Sequence, residues 1–254
     1  EKLLHMEQLI GARLIGQAIQ VRLGGVESFC PARLVGFHLG ADRVDVEVAS
    51  GNASRLLSAP VLVAADGGDS AIRQRLGFQV LERGYGHDAI ITTLTADRPQ
   101  PGVAFERFTD TGPLALLPMT AGRYSLVWTA RRDETAGILA LDDAAFLARL
   151  QARFGYRLGT LSRPGRRQAW PLKLLLTREP ARPRLVLIGN AAHTLHPVAG
   201  QGLNLGLRDL AALAQVLVDR VRAGADPGDA AALAAYRRLR GSDQERTGLA
   251  TDLL

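Results

Sequence analysis

The sequence predicts a mixed α/β protein in which two α/β pieces flank a β-rich, mostly antiparallel insert. Three observations carry that prediction. Continuous apolar runs of strand length stand at residues 61–65 and 184–188, the pattern of strands covered on both faces. Between residues 87 and 130, β-type runs succeed one another at short turns. From residue 201 to about residue 247 the apolar positions repeat with helical period.

Taken in order, residues 3–22 read as a helix, with Leu3, Leu4, Ile10, Leu14 and Ala18 near a 3.6 period and Gly24-Gly25 ending it. Residues 34–39 and 44–48 form a hairpin across Gly40-Ala41-Asp42; Val44, Val46 and Val48 alternate with Asp45 and Glu47, as on a half-buried strand. A third strand covers residues 55–58. The buried run 61–65 leads into Asp66-Gly67-Gly68-Asp69-Ser70 and a helix through Leu76. Strands follow at 87–96, 103–109, 112–119 and 123–130, then a helix at 142–154 with Asp142-Asp143 favourable at its start, and a strand at 166–172. The buried run 184–188 ends at Gly189, and helices follow a long loop at 201–222 and from 229 to about 247. The domains expected are therefore 1–80 with 175–254, as one discontinuous unit, and 81–174 as the insert.

Composition narrows the function. With 254 residues and 47% hydrophobic content the chain can build a sizeable core. No apolar run approaches the ~20 residues of a membrane-spanning helix. The net charge of +6 comes from dispersed arginines, Lys2 and Lys173 being the only lysines. No basic and aromatic cluster forms a single-strand platform, which argues against nucleic acid. Cys30 is alone, so an internal disulfide and a cysteine-ligated metal centre are excluded, and a reducing cytoplasm fits. His193 and His196 have metal-like spacing but no third ligand in register, and no metal is expected.

The chemistry concentrates in residues 189–209. A buried strand ends at Gly189, and ligands of α/β sheets bind at the carboxyl ends of strands. Asn190 stands there with donor and acceptor groups, and Ala191 and Ala192 let a planar ligand approach. Pro197 stiffens the loop, and Gly200 and Gly202 permit close contact. The helix then begins at Gln201–Leu203, presenting free N–H groups that favour negative charge. A second signal is Ala65-Asp66-Gly67-Gly68-Asp69-Ser70-Ala71-Ile72-Arg73; alone it reads as an ordinary Asp-Gly turn with Ser70 capping a helix, and its place ahead of the Gly189 motif favours a functional reading.

Residues 189–209 resemble the second FAD motif of the class A flavoprotein monooxygenases, G-D-A-A-H, P, then G-Q-G-x-N-x-G-x-x-D. Asn190 stands where Asp is commoner, a form frequent in the ubiquinone-biosynthesis branch. Residues 65–73 resemble that family's A-D-G-x-x-S-x-x-R signature. Residues 104–119 with Ser125-Leu126-Val127-Trp128 resemble the 2-polyprenyl-6-methoxyphenol hydroxylases. The resemblance implies an FAD/NAD(P)-binding Rossmann-like domain lacking its first strand–helix unit, with an inserted antiparallel β-sheet substrate domain. It implies FAD contacts at Asp66, Gly67, Asn190, Pro197, Gly200, Gln201, Gly202, Leu203 and Asn204. It also implies a substrate pocket lined by Phe105, Leu116, Pro118 and Trp128, positions that read equally as plain sheet core.

The implied activity is hydroxylation of a prenylated phenol in ubiquinone biosynthesis, with NAD(P)H as reductant, O2 as co-substrate and a flavin C4a-hydroperoxide as oxidant. No side chain is expected to act as a catalytic acid or base. The implied setting is cytoplasmic with peripheral membrane contact, as a homo-oligomer or in a complex with other ubiquinone-biosynthesis proteins. The family opens with a G-x-G-x-x-G motif that these residues do not contain, so truncation at the N-terminus is expected, with a cut C-terminus and a partner chain or swapped contact over an exposed sheet edge. Two further readings stay open. One is a hydroxylase of a soluble aromatic acid, with a polar pocket and an arginine clamp; the other is a flavin-free chain acting in lipid binding or assembly.

Overall fold

The computed structural model describes residues 25–195 and 201–252. The helix expected over residues 3–22 lies outside the described residues, as do Pro197 and Gly200. The described chain runs β1 (Arg33–Leu39), β2 (Val44–Ser50), β3 (Ala53–Ala59), β4 (Leu62–Ala64), α1 (Ala71–Arg75), β5 (Val80–Ala96), β6 (Phe105–Thr109), β7 (Gly112–Pro118) and β8 (Arg123–Arg131). There follow α2 (Arg132–Ala140), α3 (Asp143–Phe154), β9 (Leu161–Ser162), β10 (Gln168–Thr177), β11 (Ala181–Arg182), β12 (Leu185–Leu187), β13 (His193–Thr194), α4 (Gln201–Arg222) and α5 (Ala230–Asp252).

The chain groups into two compact units. One holds the described residues through Val63 with Ala181–Val186 and Val216–Ala235; the other holds Ala64–Pro180, Leu187–Gln215 and the chain from Tyr236 onward. This grouping differs from the division expected near residues 80 and 175, because the glycine-rich turn and the ends of α4 and α5 nearest it group with the large sheet.

In the first unit β1, β2 and β3 form an antiparallel sheet in that order. The alternation of valine with acid on β2 is what a sheet covered on one face requires. Arg184 anchors the rest of this unit. Its guanidinium donates to the Ala41 carbonyl at 2.6 and 3.0 Å, to the Pro60 carbonyl at 3.1 Å, and to both oxygens of Asp226. The Gly228 carbonyl accepts from Arg184 N–H, and a Cβ on Gly228 would stand 1.9 Å from the Pro60 oxygen, so no side chain fits there. The run at 61–65 was expected to be covered on both faces. Val63 is instead 38% exposed, β4 being the terminal strand of the order β11-β12-β4 among the described residues.

In the second unit a seven-stranded sheet has the order β13-β10-β5-β8-β7-β6, with β9 paired to β5. Its pairings are antiparallel, as the run of short turns predicts. One face carries Ile90, Leu94, Leu114, Leu116, Tyr124, Leu126 and Trp128, buried against Ile138 of α2 and Phe146, Leu150 and Phe154 of α3. Asp142 caps α3, accepting from Ala145 N–H at 2.7 Å. The sequence reading did not anticipate α2, whose first turn carries Asp133 and Glu134. β5 and β10 are longer than expected, and β10 pairs with the stretch of β5 from Val80 to Ile91 through a shift at Pro171/Lys173.

Candidate functional site

Both glycine-rich motifs lie in the second unit, and a buried arginine joins them. β4 ends at Ala64, and the turn that follows puts Gly67 at φ +87°, where a side chain would be strained. Ser70 caps α1 by accepting from Arg73 N–H at 3.0 Å, and Asp66 Oδ2 accepts from Ile72 N–H at 3.2 Å. The capping role of Ser70 is thus real and coexists with a second role for the signature's last residue. The Arg73 side chain, 5% exposed, donates to the Gly68 carbonyl at 2.6 Å and to the Ala191 carbonyl at 2.9 Å. The guanidinium fork can hold two carbonyls in fixed directions, which a lysine cannot.

The second turn is held from its other side by Asp209. Gly189 N–H donates to Asp209 Oδ2 at 3.1 Å, and His193 Nε2 lies 2.5 Å from the same oxygen. Asp209 Oδ1 accepts from Arg240 Nε and Gln244 Nε2, each at 2.9 Å. Burial pushes the Asp209 carboxyl up, but the hydrogen bonds from His193, Arg240 and Gln244 outweigh it and hold the group below the usual carboxylate range. Arg240 also pairs with Asp243, and Asp243 with Arg208. Nearby, burial drives the Tyr236 phenol well above its ordinary value, so it stays neutral.

Between these two clamps Asn190 is exposed, as are Asp66, Leu203 and Asn204, while Gln201 and Gly202 are half-buried at the first turn of α4. Among the described residues, and apart from its own helix, Gly202 has no atom within 4 Å of the place a Cβ would take. A Cβ on Gly206 would meet Gly189 Cα at 3.5 Å, so α4 runs close beside the strand end. The Thr194 hydroxyl is buried without a hydrogen-bond partner among the described residues, and a Cβ on Gly68 would stand 3.3 Å from it. The fold thus gathers Asp66, Gly67, Asn190, Gln201, Gly202, Leu203 and Asn204 in one unit.

The four residues expected to wall a substrate pocket lie in or beside the core of the large sheet. Leu116 and Trp128 are 0% and 1% exposed, inside the core that α2 and α3 close, with the Trp128 ring 5.8 Å from that of Phe146. Phe105 is half-buried and meets Phe154 edge-on at 6.4 Å, and Pro118 is half-buried at the end of β7. Strand parity decides which face each residue takes. Successive residues of a strand face opposite sides. The sheet face turned away from α2 and α3 therefore carries Ile91, Val127 and Ala115, which pair across β5, β8 and β7, together with Leu117 and Trp170.

Sequence reasoning placed His193 and Asp209 in the glycine-rich motif without giving them partners, and gave no role to Arg240 or Gln244. The signal was present: Leu205, Asp209 and Leu213 lie four apart on one helical row, and all three are buried. An acid on an apolar row demands donors. Tyr236, Arg240 and Gln244, likewise four apart, form the facing row.

A strand, a tight glycine turn and a helix start, tied together by Arg73 and Asp209, are the parts of a dinucleotide-cofactor fold. The chain belongs to the FAD binding domain family (FAD_binding_3), which it matches over residues 18–246. Among curated proteins it is similar to the ubiquinone hydroxylase UbiL of Rhodospirillum rubrum, 41% identical over 98% of this chain and 58% of the relative. It is also similar to the 3-demethoxyubiquinol 3-hydroxylase of Escherichia coli, 33% identical over 74% and 47%, and to human COQ6, a ubiquinone biosynthesis monooxygenase, 32% identical over 76% and 49%. The chain spans about half the length of these relatives. Among solved structures, PqsL, a probable FAD-dependent monooxygenase of Pseudomonas aeruginosa, superposes with TM-score 0.76 at 24% identity over 94% of this chain and 67% of that one. The anhydrotetracycline hydroxylase OxyS of Streptomyces rimosus gives 0.70 at 23% over 94% and 47%. These likenesses bear out the FAD-binding fold that the sequence predicts. No described helix is long and apolar enough to cross a membrane.

Proposed function

We propose that this chain is the flavin-loop and substrate-sheet portion of an FAD- and NAD(P)H-dependent monooxygenase that hydroxylates a prenylated phenol in ubiquinone biosynthesis. The observation that carries the reading is the double clamp on the Gly189–Ala191 turn, which leaves Asn190 exposed beside the start of α4. The relatives named as ubiquinone hydroxylases support the reaction class.

The residues fit a flavin. Among the described residues the Thr194 hydroxyl is a buried polar atom without a partner, Gly67 and Gly202 have open space where side chains would stand, and Asn190 is exposed. Asn190 would hold hydroxyls of the cofactor, Gln201 and Gly202 would offer free N–H groups to its negative edge, and Leu203 and Asn204 would lie along it. Asp66 and Gly67 would border its path. Pro197 and Gly200, from the sequence reading, would complete the loop. When bound, FAD supplies the redox and oxygen chemistry that no side chain here can perform. The protein's share is to bind, orient and exclude water.

The substrate wall we propose is the sheet face with Ile91, Ala115, Leu117, Val127 and Trp170, which is apolar enough for a prenylated ring. Arg123 lies on that face, but donates to the hydroxyls of Thr93 and Thr95 and to the Arg163 carbonyl. Those engagements favour the apolar substrate over an aromatic acid. The test is the visible spectrum of the chain after FAD addition and desalting, followed by NAD(P)H oxidation with a prenylated phenol. A retained flavin band and phenol-dependent turnover support the reading; flavin without phenol dependence redirects it to another hydroxylase. Absence of a band would assign the flavin-free role in lipid binding or assembly.

A further inference from the structure

Four donors converge on the Asp209 carboxylate and divide between its oxygens. Oδ2 takes the Gly189 N–H and His193 Nε2; Oδ1 takes Arg240 Nε and Gln244 Nε2. Asp209 is 0% exposed, so water cannot substitute for any of them. One oxygen therefore serves the turn below Asn190, and the other serves α5. We propose that Asp209 is a positioning residue for the flavin: it couples α5 to both ends of the Gly189–His193 turn and so sets where Asn190 and Thr194 stand relative to the first turn of α4. The proposal rests on the flavin reading of this loop.

The arrangement needs a carboxylate. A carboxylate accepts at both oxygens, whereas an amide of the same shape has one accepting oxygen and one donating NH2. In Asp209→Asn the NH2 must face an obligate donor whichever way the amide lies: the Gly189 N–H on one side, where His193 can turn to its other tautomer and accept, or the Arg240 guanidinium on the other. Facing Arg240 is the worse choice, because a guanidinium is charged and its hydrogen bonds are the stronger ones. The carbonyl therefore stays with α5, and the NH2 turns toward Gly189 and His193. Arg240 is further secured by Asp243 at 2.5 Å and by the Leu205 carbonyl at 3.4 Å. Among the described residues His193 has no such second anchor. With Nε2 donating to Asp209, a tautomer inferred from the network, its Nδ1 is buried and has no partner among the described residues. The substitution thus releases the turn and leaves α5 in place.

The test compares Asp209→Asn with Asp243→Asn. The second variant weakens Arg240 and Arg208 but leaves all four bonds on Asp209 intact. Two readouts are taken: amide hydrogen exchange over residues 189–195 against β5 and β8, and FAD titration by difference absorbance. Asp209→Asn should speed exchange over 189–195 by about tenfold, the equivalent of about one lost hydrogen bond, with β5 and β8 unchanged. Its FAD dissociation constant should rise by about the same factor. Asp243→Asn should stay within about twofold of the parent in both, the range of a partly exposed ion pair. Unchanged exchange in Asp209→Asn, equal effects in both variants, or parent-like FAD affinity despite faster exchange would each overturn the proposal. A parent chain that takes up no FAD would defeat the flavin reading itself, and the exchange comparison would still decide whether Asp209 couples α5 to the turn.

Discussion

The Arg73 guanidinium donates to the Ala191 carbonyl at 2.9 Å across 118 residues of chain. Its other arm holds the Gly68 carbonyl, so the two glycine turns are fixed against each other by one buried cation. Arg73→Lys keeps the charge but loses the planar fork, and a single ammonium cannot reach both carbonyls in their present directions. Hydrogen bonds to charged groups contribute about 1.5–3 kcal/mol each, and a buried carbonyl left without a donor adds its desolvation cost. We expect Arg73→Lys to lower unfolding free energy by about 2 kcal/mol in urea titration. A loss below about 0.5 kcal/mol, the range of ordinary surface changes, would mean that the fork is not what joins the turns.

Asn190 presents the opposite case. It stands exposed on a turn whose backbone is held by other residues. Asn190→Ala should leave the thermal unfolding midpoint nearly unchanged, a stability difference within about 0.5 kcal/mol. FAD affinity should fall about tenfold, since the proposed cofactor contacts are what the side chain would lose. A variant that binds FAD like the parent would remove Asn190 from the site.

Much of this was legible in the residues, and the illegible part has a physical cause. The strand run ending at Gly189 and the helix from Gln201 announced themselves by apolar pattern and glycine placement, and both stand where expected. The hairpin of Val44, Val46 and Val48 did too. A β run, however, states its period before its facing: nothing local in Leu116-Leu117 says which residue turns toward α2 and α3. A polar residue on a sheet's outer face breaks that tie, and Gly112–Pro118 has none. The partners of Asp209 were hidden for another reason. Its row on α4 marks it as buried, but only the packed structure says that Arg240 and Gln244, more than 30 residues on, supply the donors.

Facing can be tested directly on that pair. Leu116 is 0% exposed within the core, and its neighbour Leu117 is 42% exposed on the opposite face. Leu116→Ala should cost about 2–5 kcal/mol through lost burial and the cavity left behind. Leu117→Ala should cost under about 1 kcal/mol, and should instead weaken the response of NAD(P)H oxidation to a prenylated phenol. Equal destabilisation by the two changes would reverse the assignment of faces. Loss of phenol response in Leu116→Ala without destabilisation would return the substrate wall to the core side.

The first unit carries its own pH dependence at Arg184 and Asp226. The Arg184 side-chain hydrogen bonds, followed by the Gly228 N–H at 2.9 Å, hold the Asp226 carboxyl down at about 2 against an ordinary 3.8. A carboxyl whose folded value is depressed binds its proton more readily in the unfolded chain, so stability falls as the medium is acidified. The contribution is whole above the unfolded value of 3.8 and is lost as pH falls through the folded value near 2. Asp209 acts in the same direction, since its carboxyl also lies below the usual range. Thermal midpoints recorded from pH 6 down to pH 2 should therefore hold roughly level above about pH 4 and decline below it. Asp226→Asn should lower the midpoint at neutral pH and flatten the decline, because the amide carries no proton to gain. A variant that is less stable at neutral pH yet declines as steeply as the parent would show that another carboxylate, rather than the one bound to Arg184, governs acid unfolding.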